Sequence, residues 1–323
     1  MKAAVYYQPG PPDVFRYEDV PDPTCAPDGV VLDVEVISIE GGDVGNRARG
    51  LMAKTPHVVG YQCSGTVREV GPQVTDRRVG DRVAAMMLHG SHAERVAVPS
   101  AFTWRVPPGL AMDAAACIPI PFGTADDCLF EFGRLGAGET VLIQAGASGV
   151  GLAAIQLAKR AGATVIATAG SDAKLARLRD ELGLDHGVNY RERSFVDAVR
   201  EITGGRGCDL VVDSVGGAVL QGSLECLGYR GRAITVGDAS RGGKQLDVSS
   251  LSAGNRSLTG VFLGAESFFN RARVYPMIER HFADVAKGAL RVVIDRRFPL
   301  AEAAAAHAYV ESRAAFGRVL LIP

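Results

Sequence analysis

The apolar positions change rhythm near residue 120. Before it, glycine and proline punctuate short alternating runs, Val30 to Ile39, Gly65 to Val70, Asp81 to Met87 and Ala93 to Val98, and these predict several short strands in a partly open, barrel-like β domain. After it, strand-like segments at 140–145, 164–169, 186–190, 208–215, 231–237 and 257–263 alternate with helix-like ones, the pattern of a doubly wound parallel sheet. Beyond Gly264 come a helical stretch from Phe268 to Lys287, a run Arg291 to Phe298, an alanine-rich helix and a final strand Gly317 to Ile322. That tail is too small to build its own core and is expected to rejoin the first domain. The expected division is a β domain over 1–121 completed by 264–323, and an α/β domain over 122–263.

The most informative stretch opens the α/β part. The run Thr140 to Ile143 breaks at Ala145-Gly146-Ala147-Ser148-Gly149-Val150-Gly151, and Leu152, Ile155, Gln156, Leu157 and Ala158 then follow at helical spacing. Strand, glycine turn and helix in this order describe a dinucleotide-binding turn, and the second strand, Thr164 to Ala169, completes the βαβ unit. Gly146 is expected to permit the tight turn, Gly149 to let the backbone approach a pyrophosphate, and Gly151 to let helix and strand pack closely. The helix N-terminus would offer unpaired N–H groups to the phosphates.

The end of the second strand tells the two dinucleotides apart. NAD-selective sites place a carboxylate there on the ribose 2′-hydroxyl. This chain has Ala169-Gly170-Ser171, with Asp172 better placed to help cap the next helix and Lys174 within reach of a 2′-phosphate. Ser171 and Lys174 would supply one neutral and one charge-assisted hydrogen bond, which favours NADPH. The alternative reading leaves Ser171 as an N-cap alone and Lys174 as an ordinary exposed lysine.

Composition narrows the classes. The 323 residues are 47% hydrophobic, enough for two compact domains, and no uninterrupted apolar span reaches membrane length. A net charge of −1 with only short basic pairs, Arg77-Arg78 and Arg296-Arg297, argues against nucleic acid as a main partner. The opening Met1-Lys2-Ala3-Ala4-Val5-Tyr6-Tyr7 reads as a strand and not as a signal peptide, so cytoplasmic residence is expected. Six dispersed cysteines, with no Cys-x-x-Cys pair, suggest small buried residues.

Several motifs in fixed order carry a resemblance. They are the opening MKAAVYYQPGPPDVFRYEDVP, Gly60 to Val74, Val79-Gly80-Asp81-Arg82-Val83, the cofactor turn, Val188-Asn189-Tyr190, Asp213-Ser214-Val215-Gly216 and the ending ESRAAFGRVLLIP. Over essentially its whole length the chain resembles the medium-chain dehydrogenase/reductase superfamily, and within it the zinc-independent, zeta-crystallin-like quinone oxidoreductases. The resemblance implies an α/β fold, a Rossmann domain beside a GroES-like β domain, NADPH as cofactor and a homodimer paired along Ser257 to Leu263. It also implies that Thr124 lies by the nicotinamide, that Gly146, Ser148, Gly149, Val150 and Gly151 hold the pyrophosphate, and that Gly170, Ser171, Lys174 and Tyr190 surround the adenosine and its 2′-phosphate. Arg313 would add a second cation, and Ser214 and Gly237 would face the cofactor from strand ends.

The reacting end departs from the family pattern. Zinc-containing members need three protein ligands, but this chain has Gly41-Gly42 near Asp43 in place of a ligand cysteine, and Tyr61-Gln62 in place of histidine and glutamate. The spacing of His89 and His92 is read as a solvated loop, and no metal is expected. Without a Lewis acid, an acceptor that takes hydride readily, a quinone or an α,β-unsaturated carbonyl, fits better than alcohol oxidation. The tyrosine usual near Asp43 in such reductases is missing, which leaves Glu40, Asp43 and Tyr61 as polar candidates. Asp43 reads more naturally as a loop holder, Tyr61 as a hydrogen-bond donor to the acceptor oxygen, and Glu40 as a proton relay or a brake on hydride donation. Two other readings stand beside the reductase: an enoyl-thioester reductase, and an NADPH-binding protein with a structural or regulatory role.

Overall fold

The six apolar runs after residue 140 pair as one parallel sheet. In the computed structural model, which describes residues 1–50, 52–240 and 246–323, its strand order is His186–Asn189, Thr164–Ala169, Thr140–Ile143, Cys208–Asp213, Leu227–Thr235 and Ser257–Gly260. The order reverses between Thr140–Ile143 and Cys208–Asp213, and in open α/β sheets that reversal leaves a ligand crevice at the strands' carboxyl ends. Leu142, Ile166, Val188, Val199, Val211, Leu224 and Ala233 form the core between the sheet and its helices. The last strand stops at Gly260, short of the expected Leu263, because Leu263 begins the helix Leu263–Phe269.

The remaining residues form the other of two units, Met1–Ile120 with Gly264–Pro323, against Pro121–Leu263. The long strand Gly29–Ser38 is its axis, hydrogen-bonded to Gln62–Val70, Arg95–Pro99 and Arg318–Ile322. Leu320 lies opposite Ser38 and Leu321 opposite Ile37, so the last strand of the chain is built into this sheet. Leu300, Ala303, Ala306, Val319 and Leu321 share a core with Val30, Leu32, Ile37, Cys63 and Val67. Full burial of each large aliphatic contributes about 1.5–3 kcal/mol, which ties the tail firmly to residues nearly 300 positions earlier. Among the described residues the sheet runs from Ile294–Pro299 at one edge to Thr103–Arg105 at the other without closing. A small second sheet joins Arg16–Asp19, Lys2–Tyr6 and His57–Val58.

The helix Gly41–Arg49 interrupts the β unit, and the alternation of apolar residues does not forecast it. Two glycines in its first turn disfavour a helix. A capping box offsets them: the Glu40 side chain accepts from the Asp43 amide, and Asp43 Oδ2 accepts from the Glu40 amide at 2.7 Å. His92, expected on a solvated loop, is instead fully buried, its Nε2 3.0 Å from His307 Nε2, whereas His89 is exposed. The spacing of two histidines says nothing about which of them faces the core.

Candidate active site

The glycine turn is shaped by what its neighbours leave no room for. A Cβ on Gly151 would meet Ala145 O at 2.4 Å, and one on Gly146 would meet the Ala167 side chain at 2.9 Å. Gly151 therefore does what the sequence suggests and lets helix Gly149–Arg160 close on the strand. Gly146 corrects its expected role, since it is a packing glycine and the left-handed turn residue is Ala145, with φ 53°. Ser148 caps the helix, its Oγ accepting from Gly151 N at 3.1 Å. The amides of Gly149 and Val150 belong to the first turn, where helix geometry aims them outward with the positive end of the dipole. A helix N-terminus presented by such a turn has the geometry that suits a pyrophosphate.

Ser171 caps the next helix, Asp172–Leu182, by accepting from Lys174 N at 3.4 Å, and its hydroxyl proton remains available. The cap and the ligand readings of Ser171 are thus compatible. Asp172 Oδ1 accepts from Asn189 Nδ2 at 3.2 Å, so the one acid near the expected ribose is held by a neighbouring strand end. Gly170 makes room for Tyr190, whose phenol oxygen would be 2.8 Å from an added Cβ. Arg191, which sequence reasoning passed over, reaches the same spot with Nε 3.3 Å from that position. An arginine directly after the tyrosine of Val188-Asn189-Tyr190 was the available signal.

Beneath these loops runs a buried chain of hydrogen bonds that no local motif announces. Ser223 Oγ donates to Asp213 Oδ2 at 2.7 Å and accepts from Gln144 Nε2 at 3.1 Å. Gln144 Oε1 accepts from Thr168 Oγ1 at 2.7 Å, and Thr168 Oγ1 accepts from Ala145 N at 3.1 Å. Asp213 Oδ1 takes the amides of Val215 and Gly216, each at 2.8 Å. The chain fixes both Ala145 and the loop that carries Ser214. Ser214 and Gly237 follow neighbouring strands, and a Cβ on Gly237 would stand 3.3 Å from Ser214 O. Thr124 is buried in helix Pro119–Asp126. These residues fit a dinucleotide with a 2′-phosphate: close-approach glycines, helix amides, and Gly170-Ser171 with Arg191 Nε nearby in place of a carboxylate that would select the unphosphorylated form. Arg313 belongs to the other unit, exposed after helix Ala303–Glu311 with φ 58°.

The three polar candidates of the β unit separate. Tyr61 is partly exposed, and its ring lies on the backbone of Gly42, where an added Cβ would meet Cε2 at 2.2 Å. Asn46 Nδ2 donates to its phenol oxygen at 2.7 Å. Burial, then the Asp43 charge, pushes the phenol up to about 12, so it stays protonated at neutral pH. Asp43 holds the loop, as its position in the sequence suggests, and Glu40 is tied to a distant arginine. Glu40 is buried and its carboxylate is taken by Arg318, with Nη1 to Oε2 at 3.2 Å and a second contact from Nη2 to Oε1, while Gln62 Nε2 also donates to Oε1. Burial raises the Glu40 carboxyl against the pull of Arg318; burial also opposes the Arg318 charge, yet Glu40 beside it holds the guanidinium above its ordinary value. Asp43, fully buried, is spent on the helix cap. Both acids are buried. Among the described residues no group of three His, Cys, Asp or Glu is placed to hold a metal ion.

Residues 149–280 match the family described as "Zinc-binding dehydrogenase", and residues 26–108 match the "Alcohol dehydrogenase GroES-like domain". A 2-haloacrylate reductase from Burkholderia sp is 34% identical, covering 100% of this chain and 99% of that protein. The Escherichia coli quinone oxidoreductase, solved in complex with NADPH, aligns with a TM-score of 0.94 at 28% identity and covers 100% of both chains. The quinone oxidoreductase of Pseudomonas syringae pv. Tomato DC3000 gives 0.93 at 29% identity, covering 100% of this chain and 99% of that one.

Proposed function

We infer the activity from membership: this chain belongs to the medium-chain dehydrogenase/reductase superfamily, in its quinone oxidoreductase family, and it is an NADPH-dependent reductase of quinones or other activated α,β-unsaturated carbonyls. The observation that carries the reading is the cradle. Its glycine turn and helix amides suit a pyrophosphate, and its second strand ends in Gly170-Ser171 with Lys174, without a free acid for a ribose. NADPH supplies a hydride and becomes NADP⁺, and the acceptor takes up that hydride with one proton.

In this reading Gly146, Ser148, Gly149, Val150 and Gly151 hold the pyrophosphate, Gly170, Ser171, Lys174 and Tyr190 the adenosine end, and Thr124, Ser214 and Gly237 the rest of the cofactor, with Arg313 a further cation for the phosphate. Tyr61 donates a hydrogen bond to the acceptor oxygen as negative charge builds there. A phenol raised to about 12 keeps the proton that this role requires. The reaction is read as needing no zinc, since Tyr61 and Gln62 stand at the ligand positions and the Glu40 carboxylate is already paired to a cation. We read the protein as a homodimer, supported by Ser257–Gly260 being the open edge of its sheet, and its unpaired cysteines support a reducing, cytoplasmic setting. A single mass of one chain in sedimentation at micromolar concentration would refute the dimer.

The test is oxidation of NADPH, and of NADH in parallel, by the purified protein against ortho-quinones, para-quinones, small enones and a trans-2-enoyl thioester. Turnover of a quinone or enone with preference for NADPH is expected. Tight NADPH binding without turnover on the whole panel would overturn the reading in favour of a structural or regulatory role.

A further inference from the structure

Gly42, Asn46 and Gly50 recur every four residues and share one face at helix Gly41–Arg49 and its end. Two of them meet the Tyr61 side chain directly, and the third packs against Asn46. Gly42 gives the Tyr61 ring a flat backbone to lie on, and Asn46, one turn later, donates from Nδ2 to the Tyr61 oxygen at 2.7 Å. Gly50 packs against the Asn46 residue as a whole, since a Cβ there would meet Asn46 Cα at 2.6 Å, its carbonyl oxygen at 2.8 Å and its Oδ1 at 2.9 Å. The amide presents its nitrogen to the tyrosine.

This orientation decides what the phenol can do. A phenol oxygen that accepts from an amide has its own proton left to give. Had the carbonyl end faced Tyr61, the phenol would donate inward and have nothing for a ligand. Among the described residues Tyr61 Oη makes no other hydrogen bond. Both side chains are partly exposed.

We propose that Asn46 is a positioning residue that holds the Tyr61 phenol as an outward hydrogen-bond donor to the acceptor oxygen. The proposal rests on the reading of Tyr61 given above. In this role Asn46 acts through the tyrosine, which predicts coupling between the two positions.

The experiment compares the whole protein with Tyr61→Phe, Asn46→Leu and the double variant, measuring kcat and KM for a para-quinone and the dissociation constant of NADPH. Tyr61→Phe is expected to lower kcat roughly 100-fold, the scale of losing one donor to a developing oxyanion. Asn46→Leu should lower kcat roughly tenfold with NADPH binding unchanged, and it should cost nothing further once Tyr61 is Phe. An undiminished kcat in Asn46→Leu, or a further tenfold loss in the double variant, overturns the positioning role while leaving Tyr61 in place. An undiminished kcat in Tyr61→Phe removes the tyrosine reading and this proposal with it. Asn46→Asp is a nearly isosteric check on folding: its carboxylate would draw the phenol proton inward, so kcat should fall below that of Asn46→Leu, and wild-type turnover would refute the proposal.

Discussion

The cofactor cradle and the face around Tyr61 are built by opposite means. In the cradle, positions are set by missing side chains and by a closed chain of neutral or singly charged hydrogen bonds from Asp213 through Ser223, Gln144 and Thr168 to the Ala145 amide. Every hydroxyl in it both gives and accepts, so the loop ends are held without a buried ion pair. Around Tyr61 the β unit does the reverse. It buries Arg318 against Glu40, Arg47 against Glu311, and His92 against His307. Buried charges and neutral imidazoles fix geometry at a cost in desolvation, and they make the region sensitive to conditions that leave the cradle unmoved.

Acid should expose this difference most strongly. Burial holds His57 down to about 4 and His92 to about 3, and burial with the neighbouring His92 holds His307 well below its ordinary value. In the unfolded chain all three return to about 6.5 and bind protons that the folded state refuses. Stability is therefore full above about pH 6.5 and falls as the pH drops toward the folded values. The nucleotide unit has only the exposed His186. Trp104, the single tryptophan, lies buried in the β unit and reports on it. The urea midpoint seen by Trp104 fluorescence should drop sharply between pH 7 and pH 5. A midpoint that stays level would show that these rings are not held neutral.

A substitution on each side sharpens the comparison further. Gly42→Ala adds a Cβ 2.2 Å from Tyr61 Cε2, and the ring must swing away. Misplacement of a reacting group by about 1 Å costs on the order of 100-fold in rate. We expect that loss in kcat with NADPH affinity unchanged, and without a loss of fold, because alanine is the better helix former by about 1 kcal/mol. Equal kcat in the variant and the parent would mean that Tyr61 does not need its seat.

The same contrast explains what was legible in the sequence. Strand, glycine turn and helix are local patterns, and the close packing at Gly151 could be read because its neighbours lie within a few positions. The left-handed residue of the turn could not, since Ala145 takes φ 53° in a place where a glycine is the natural guess. Its conformation is held by Thr168 and, through Gln144, by Ser223, none of which stands at a motif spacing. Glu40 looked like a chemical group because its partner Arg318 lies 278 residues away, beyond any pattern the chain displays. Asn46 was missed for a different reason: attention fell on the tyrosine absent near Asp43, while the glycines four residues to either side of Asn46 were the visible mark of a face kept clear.

The smallest expected effect tests the side that the sequence described best. Arg191 Nε lies beside Gly170 and Lys174 stands in the first turn of the next helix, and a charge-assisted hydrogen bond to a 2′-phosphate contributes about 1.5–3 kcal/mol, or roughly 10- to 100-fold in affinity. Lys174→Ala should weaken NADPH by that factor and leave NADH almost unchanged, because only the phosphate distinguishes them. Arg191→Ala should act in the same sense but more weakly, on the order of threefold, since its guanidinium is exposed and screened. Titration of each protein with both cofactors reads the ratio directly. If neither variant narrows the gap, the phosphate is not read over Gly170, and the absence of a ribose acid would then be permissive rather than selective. If only Arg191→Ala does so, the cap formed by Ser171 holds Lys174 away from the phosphate, and the residue after Tyr190 is the one that chooses the cofactor.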